Sequence, residues 1–357
     1  SGEVPLLKLA MGEQDIPNLV SYRDDRIVET PINYVHTADN STELYFSDLA
    51  ELVTSKIELF FTPEIFISTG EGCAMNCFYC AGVSKNQRYV FNRKSPYLRP
   101  IDKVRHDIKQ IMKYMPILMF DFDLPNQDTT NYFRRVWEGL DLKSHFVTFH
   151  DWYVPTKEFA NLITRTFNYV NIDISLASLS ESHRAHLRSF KIVKPQPTNQ
   201  EIFSFFEECN RYHNIQVSIQ TINGMPFVTE DHAKESQELV NYLINHYSCF
   251  SGTIYGSRLH AQPGAPITLD YERYQMAKSA VTYDDYLAYS VKNLENRENY
   301  PIHNAEFSYD NLPGSFNYPI IYYQDDRLDS IARKSCEEVG NLLEKFLRHQ
   351  RQPPPGF

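Results

Sequence analysis

Glycine is scarce, 13 in 357 residues, and tryptophan scarcer still at two. With 42% hydrophobic and 22% charged residues, the chain is neither a low-complexity nor a disordered polymer, and it is long enough to bury a real core. No apolar run reaches the roughly 18–20 residues that span a bilayer, and no basic stretch followed by an apolar one opens the chain as an export signal does. A cytoplasmic protein without a membrane partner is expected. Basic residues are in deficit, 35 Lys and Arg against 45 Asp and Glu for a formal net charge of −10, which argues against an extended footprint for nucleic acid. Also missing are a P-loop, the zinc-protease pattern His-Glu-x-x-His and an ordered Ser-His-Asp set. Cysteines number only six, and in a large chain with no export signal they point to free thiols or a metal rather than to a disulfide framework.

What is present is a rhythm. From about residue 63, short β-rich apolar runs alternate with stretches of helical period, the pattern of a parallel sheet. The strands are expected at Pro63–Ser68, Ile117–Phe122, Phe146–Phe149, Tyr169–Leu176, Ile215–Ile222 and Gly252–Tyr255. Between the first two, Ile101, Val104, Ile108, Ile111, Met112 and Met115 recur at spacings of three and four, one apolar stripe on a charged helix. Tyr132, Phe133, Val136, Trp137 and Leu140 repeat the device, and further helices are expected at Thr156–Arg165, Asn199–Arg211 and Thr229–His246. Six βα units with crossovers of one hand curl toward a partial barrel. The fold class is therefore α/β: a partial (β/α)6 TIM-like barrel over 61–266, preceded by a linker and hairpin segment (1–60) and followed by a mostly helical cap (267–357). Within the lead-in, Leu19–Tyr22 and Arg26–Glu29 flank Asp24-Asp25 as a small hairpin. Near the end, Leu328, Ile331, Val339, Leu342 and Phe346 mark a long helix.

Three cysteines stand together in Gly72-Cys73-Ala74-Met75-Asn76-Cys77-Phe78-Tyr79-Cys80, a C-x3-C-x2-C loop directly after the first strand. Three thiolates on one short loop can hold three irons of a [4Fe–4S] cluster and leave the fourth iron open to a substrate. Zinc is the competing reading, giving a zinc-stabilised binding protein, but a closed zinc site wants four ligands and no second Cys pair or nearby His follows. Cys209, Cys249 and Cys336 stand singly, and Cys209 and Cys336 fall on apolar helical stripes as buried free thiols do. The His183/His186 pair, three apart on a helix, is expected on a solvated face.

On this loop and the six βα units, about residues 63 to 265, the chain resembles the radical S-adenosylmethionine (radical SAM) superfamily. The resemblance implies a [4Fe–4S] cluster on Cys73, Cys77 and Cys80, whose open iron chelates the methionine part of SAM, and a 5′-deoxyadenosyl radical made by reductive cleavage of a C–S bond. It implies further cofactor contacts. Tyr79 is the aromatic before the last cysteine, and Asp121 or Asp123, at the end of the second strand, would meet the SAM ammonium where the family usually carries Gly-Gly-Glu. Ser175 and Ser178 are hydroxyl candidates for the ribose, with Ala177 standing where an acid is usual. Arg188, Lys191 or Lys194 supplies the cation for the SAM carboxylate, and Ile222 and Met225, in Gln220-Thr221-Ile222-Asn223-Gly224-Met225-Pro226, pack beside the adenine. Arg258 and His260 would line a substrate cleft.

The lead-in from Asp15 to Pro31 resembles the linker that joins a cobalamin-binding domain to the barrel in the cobalamin-dependent branch of that family. That Rossmann-like domain would precede Ser1 and is not within this sequence. The missing initiator Met favours a piece of a longer enzyme over a descendant that has lost the domain. The implied activity is cobalamin-dependent C-methylation of an unactivated carbon; the alternative within the family is a cobalamin-independent cyclisation, epimerisation or rearrangement. The implied partners are a small-molecule or peptide substrate and a reductant such as flavodoxin or ferredoxin.

Overall fold

The computed structural model describes residues 3–13, 16–23, 25–35, 37, 66–90, 92–113, 117–122, 129–151, 153–190, 194–259, 262, 264–278, 282, 284–285, 287, 321–323 and 326–350. A short helix α1 (Glu3–Ala10) precedes an antiparallel hairpin of β1 (Val20–Arg23) and β2 (Arg26–Glu29), where the lead-in predicts one. The main sheet opens at β3 (Phe66–Ser68). Two-residue strands β4 (Gly70–Glu71) and β5 (Tyr97–Leu98) pair antiparallel and bracket the cysteine loop and helix α2 (Ser84–Tyr89).

The βα rhythm follows. It runs α3 (Ile101–Ile111), β6 (Ile117–Phe122), α4 (Thr129–Trp137), β7 (Phe146–Asp151), α5 (Lys157–Thr166), β8 (Tyr169–Leu176), α6 (Glu181–Ser189), α7 (Asn199–Cys209), β9 (Ile215–Asn223), α8 (Glu230–His246) and β10 (Phe250–Arg258). Beyond it lie a single-turn helix α9 (Pro266–Leu269), the antiparallel pair β11 (Met276–Lys278) and β12 (Ile321–Tyr323), and the long helix α10 (Asp326–Gln350). The six-stranded sheet has the order β10-β9-β8-β7-β6-β3, and every neighbouring pair is parallel. Each crossover thus sets the next strand beside the last.

Strand β8 illustrates why the residues choose this form. Val170, Ile172, Ile174 and Leu176 are buried in the main core, while Asn171, Asp173 and Ser175 alternate with them on the opposite face. The helix stripes meet that apolar face: Val104, Ile108 and Ile111 from α3, Phe133, Val136 and Trp137 from α4, Phe159, Ala160 and Ile163 from α5. Phe133, Phe149 and Phe159 pack edge to face in the core with ring centroids 5.0–6.0 Å apart. Thr156, Ser180, Thr198 and Thr229 cap four of the helices, each side chain accepting the N–H three residues on.

A second, smaller core of Phe78, Ala177, Met225, Leu259, Ile267, Tyr274, Met276 and Cys336 joins the cysteine loop, the ends of β8 and β9, the segment after β10 and helix α10. The chain beyond β8 is held by Arg184, 1% exposed. Its guanidinium donates to the carbonyls of Ser178, Leu179 and Pro197 and to Asn199 Oδ1, at 2.6–2.9 Å. One side chain therefore fixes both the end of β8 and the entry to α7.

His183 departs from expectation: it is buried, and only His186 lies on the exposed face of α6. Its ring nitrogens are met by the Ser178 hydroxyl at 3.1 Å and the Pro226 carbonyl at 2.8 Å, and the ring stacks on His232 with centroids 4.5 Å apart. Two neutral partners satisfy a neutral imidazole, and burial pushes its pKa down to about 4.

Two outcomes follow from these contacts. Arg184→Met leaves three carbonyls without their donor and is expected to lower the unfolding free energy by about 3–5 kcal/mol in denaturant titrations. Because His183 titrates lower in the fold than in the unfolded chain, the unfolded state binds its proton first. Stability is full above about pH 6.5 and falls by about 3 kcal/mol as the pH drops to about 4; His183→Gln is expected to flatten that slope.

Candidate metal centre

The cysteine loop leaves the end of β3, where the Arg99 side chain clamps the backbone. Its guanidinium donates to the Ser68 carbonyl at 2.7 Å and pairs at 2.8 Å with the buried Asp107 of α3, while its own N–H bonds the Thr69 carbonyl. Gly72 then turns the chain at φ +88°. A Cβ there would also come within 3.0 Å of Arg93 Cδ and 3.1 Å of the Pro96 backbone, so the position requires glycine. Arg93 in turn pairs with Glu71 and donates to Gln87 on α2.

Beyond the loop, contacts come from the segment after β10. The Ile267 N–H donates to the Phe78 carbonyl at 2.8 Å, and the Phe78 ring stacks on Tyr274 with centroids 4.9 Å apart. Gln262 Oε1 accepts the Ala81 N–H at 2.7 Å, and the Asn86 amide bridges the carbonyls of Ala81 and Gly264.

All three loop cysteines are free thiols, Cys77 buried and Cys73 and Cys80 half-buried. Each sulfur accepts a backbone N–H: Cys73 from Met75 at 3.4 Å, Cys80 from Gly82 at 3.2 Å, and Cys77 from Lys194 at 3.1 Å. Burial pushes the Cys77 thiol up, and the Tyr79 hydroxyl, the Lys194 N–H and the Lys194 charge oppose that rise. The Tyr79 phenol is itself held well above its usual range, first by burial and then by the charge of Cys77.

These residues fit an iron–sulfur cluster. Among the described residues, no three His, Cys, Asp or Glu side chains gather as the ligand set of a single metal ion. A zinc ion with Zn–S bonds of about 2.3 Å needs its sulfurs drawn tightly together, whereas a cubane takes each thiolate on a separate iron. N–H donors aimed at all three sulfurs suit thiolates that share the charge of a cluster.

The other sequence candidates separate into three groups. Ser178, Ile222 and Met225 line one small cavity of about 50 Å3, together with His183 and Asn223. Asn223 is 7% exposed, and its Nδ2 has no partner among the described residues. Ser175 is buried at the end of β8, and its carbonyl accepts the Lys194 ammonium at 2.9 Å. Of the three cations, Lys194 is buried, Arg188 is exposed on α6, and Lys191 lies outside the described residues. Asp121 stands on β6 in register with Ser68 of β3 and His150 of β7; Asp123 and His260 lie outside the described residues. Arg258 closes β10.

A polar cluster on the inner face of the sheet has no counterpart in the sequence reading. His150 Nδ1 lies 3.2 Å from the Asp173 carboxylate and 3.0 Å from the Gln220 amide, and Asn171 donates to Asp173 at 3.2 Å. Its only sequence signal is the polar alternation of Asn171, Asp173 and Ser175 within an otherwise apolar strand.

No protein-family profile matches the chain, and no curated protein matches it. Solved structures do. The radical S-adenosylmethionine methyltransferase TsrM from Kitasatospora setae, with tryptophan substrate and the SAM analogue aza-SAM bound, superposes with a TM-score of 0.59 at 13% identity, over 96% of this chain and 66% of TsrM. The same enzyme with cobalamin and a [4Fe–4S] cluster bound gives 0.59 and 13%, over 95% of this chain and 67% of its own. This chain thus spans about two thirds of the length of the enzyme it matches. With a consecutive parallel sheet and a three-cysteine loop following its first strand, the chain shares the fold of that enzyme.

Proposed function

We propose that this protein is a radical SAM enzyme whose six βα units curl into a partial barrel around a [4Fe–4S] cluster on Cys73, Cys77 and Cys80. The observation that carries the reading is the loop itself: three free thiols at the end of the first strand, each receiving an N–H, in a chain with the fold of a radical SAM methyltransferase. When bound and reduced by a donor of the flavodoxin or ferredoxin class, such a cluster supplies the electron that cleaves SAM to methionine and a 5′-deoxyadenosyl radical.

The chain's own residues bind and orient. Ser178, Ile222 and Met225, gathered around one cavity, would take the adenosine, with the unpartnered Asn223 amide as a further donor. The buried Lys194 ammonium is the cation we assign to the SAM carboxylate. Asp121 on β6, or Asp123 two residues on in the sequence, is left to receive the ammonium in place of Gly-Gly-Glu. Tyr79 and Phe78 close the cluster from water, and the polar inner face at His150, Asp173 and Gln220 suits a small-molecule or peptide substrate rich in hydrogen-bonding groups. C-methylation of an unactivated carbon with cobalamin is the reaction class this reading favours, from the fold likeness and the lead-in sequence.

Anaerobic reconstitution with iron and sulfide is expected to load about four irons per chain. Dithionite and SAM should then yield 5′-deoxyadenosine, and Cys77→Ala should lose both; zinc in place of iron, or a cluster that never cleaves SAM, would refute the reading. The full-length gene product is expected to bind cobalamin in an absorbance titration, and 5′-deoxyadenosine formation without cobalamin binding would instead indicate cyclisation, epimerisation or rearrangement.

A further inference from the structure

Cys77 is held differently from the other two loop cysteines. Cys73 and Cys80 accept N–H groups from two residues along the same loop, so those bonds form wherever the loop folds. Cys77 takes its N–H from Lys194, 117 residues away on the strap that enters α7. Lys194 is 4% exposed, and it carries an ammonium inward to the Ser175 carbonyl at the end of β8. Gln196 locks the strap: its Oε1 accepts the Ala177 N–H at 2.8 Å and its amide donates to the Lys194 carbonyl at 3.4 Å. A formal positive charge is thereby held in the interior at the end of β8, within electrostatic reach of Cys77, the most buried of the three thiols.

Reduction makes a [4Fe–4S] cluster one unit more negative and adds no proton: the oxidised cluster takes one electron from an external donor, and nothing else is exchanged. A fixed cation stabilises the reduced form more than the oxidised one, and hydrogen bonds to cluster sulfurs act in the same direction. We propose that Lys194 is a positioning residue that sets the cluster's reduction potential, raising it into the reach of a one-electron donor. This rests on the cluster assignment above and goes beyond it, because it concerns the cluster before SAM arrives. It also gives the chain a reason to bury a lysine just before Pro195, where Met would fill the same space without desolvating a charge.

The test is a potentiometric titration of the reconstituted protein without SAM, followed by electron paramagnetic resonance of the reduced cluster. Lys194→Met is expected to lower the midpoint by at least the equivalent of a tenfold fall in the reduced-to-oxidised ratio, about 59 mV for a one-electron couple. Lys194→Arg, which keeps the charge, should titrate close to the unmutated protein. So should Lys85→Met, which removes an exposed charge on α2 beside the same loop. Should Lys194→Met load fewer than four irons, Lys194→Gln takes its place with the same expectation. A midpoint unchanged by loss of the Lys194 charge, or a shift of equal size in Lys85→Met, overturns the inference while leaving the cluster assignment intact. An unmutated chain that takes up no cluster overturns both.

Discussion

The stacking of Phe78 on Tyr274 ties the cysteine loop to the chain beyond β10, and the rest of the site depends on that contact. A loop with three thiols and few apolar residues has little reason to hold one shape alone. Burying the Phe78 ring is worth about 2–3 kcal/mol, and the aromatic pairing adds about 1. The Ile267 N–H on the Phe78 carbonyl fixes the direction of approach. The small core around this pair also takes in Ala177, Met225 and Cys336, so the ends of β8 and β9 and the helix α10 are registered against the same ring. The cysteine loop and residues that line the neighbouring cavity are thus parts of one packed unit.

That unit sits on a sheet whose two faces do different work. Apolar positions of period two face the helices and form the main core, while the opposite positions are left for polar groups: Asn171, Asp173 and Ser175 on β8, His150 on β7, Gln220 on β9. The stability of the fold and the chemistry of the site therefore draw on alternate residues of the same strands. Arg184 and Lys194 join the two at the end of β8, the first by holding its carbonyls, the second by reaching from there to Cys77.

Much of this was legible in the residues, because it is local and periodic. Ile117–Phe122 and Tyr169–Leu176 are strands at the expected bounds, Val104, Ile108 and Ile111 form one buried stripe, and Cys209 and Cys336 are buried free thiols on helices. What stayed hidden has no local period. Strands β4 and β5 are two residues each and exist only because they pair across the cysteine loop. Helix α1 carries Leu6, Leu7 and Leu9 at the surface, so no amphipathic stripe announces it. Lys194 stood as one of three cations and could not be singled out, since its partners lie 117 and 19 residues away. His183 misled for a related reason: a histidine pattern reads as solvated, and the Pro226 carbonyl that makes burial tolerable comes from another strand's end.

The six thiols fall into two chemical populations. Burial pushes Cys249 up to about 12 and Cys209 further still, so these two are almost never thiolates at neutral pH, and Cys336 is buried on α10. The loop sulfurs are held otherwise: each accepts a backbone N–H, and Cys73 and Cys80 are half-buried rather than sealed. An alkylating reagent would then meet sulfur first at Cys73 and Cys80, so its uptake reports on the loop while the thiols of the scaffold stay covered.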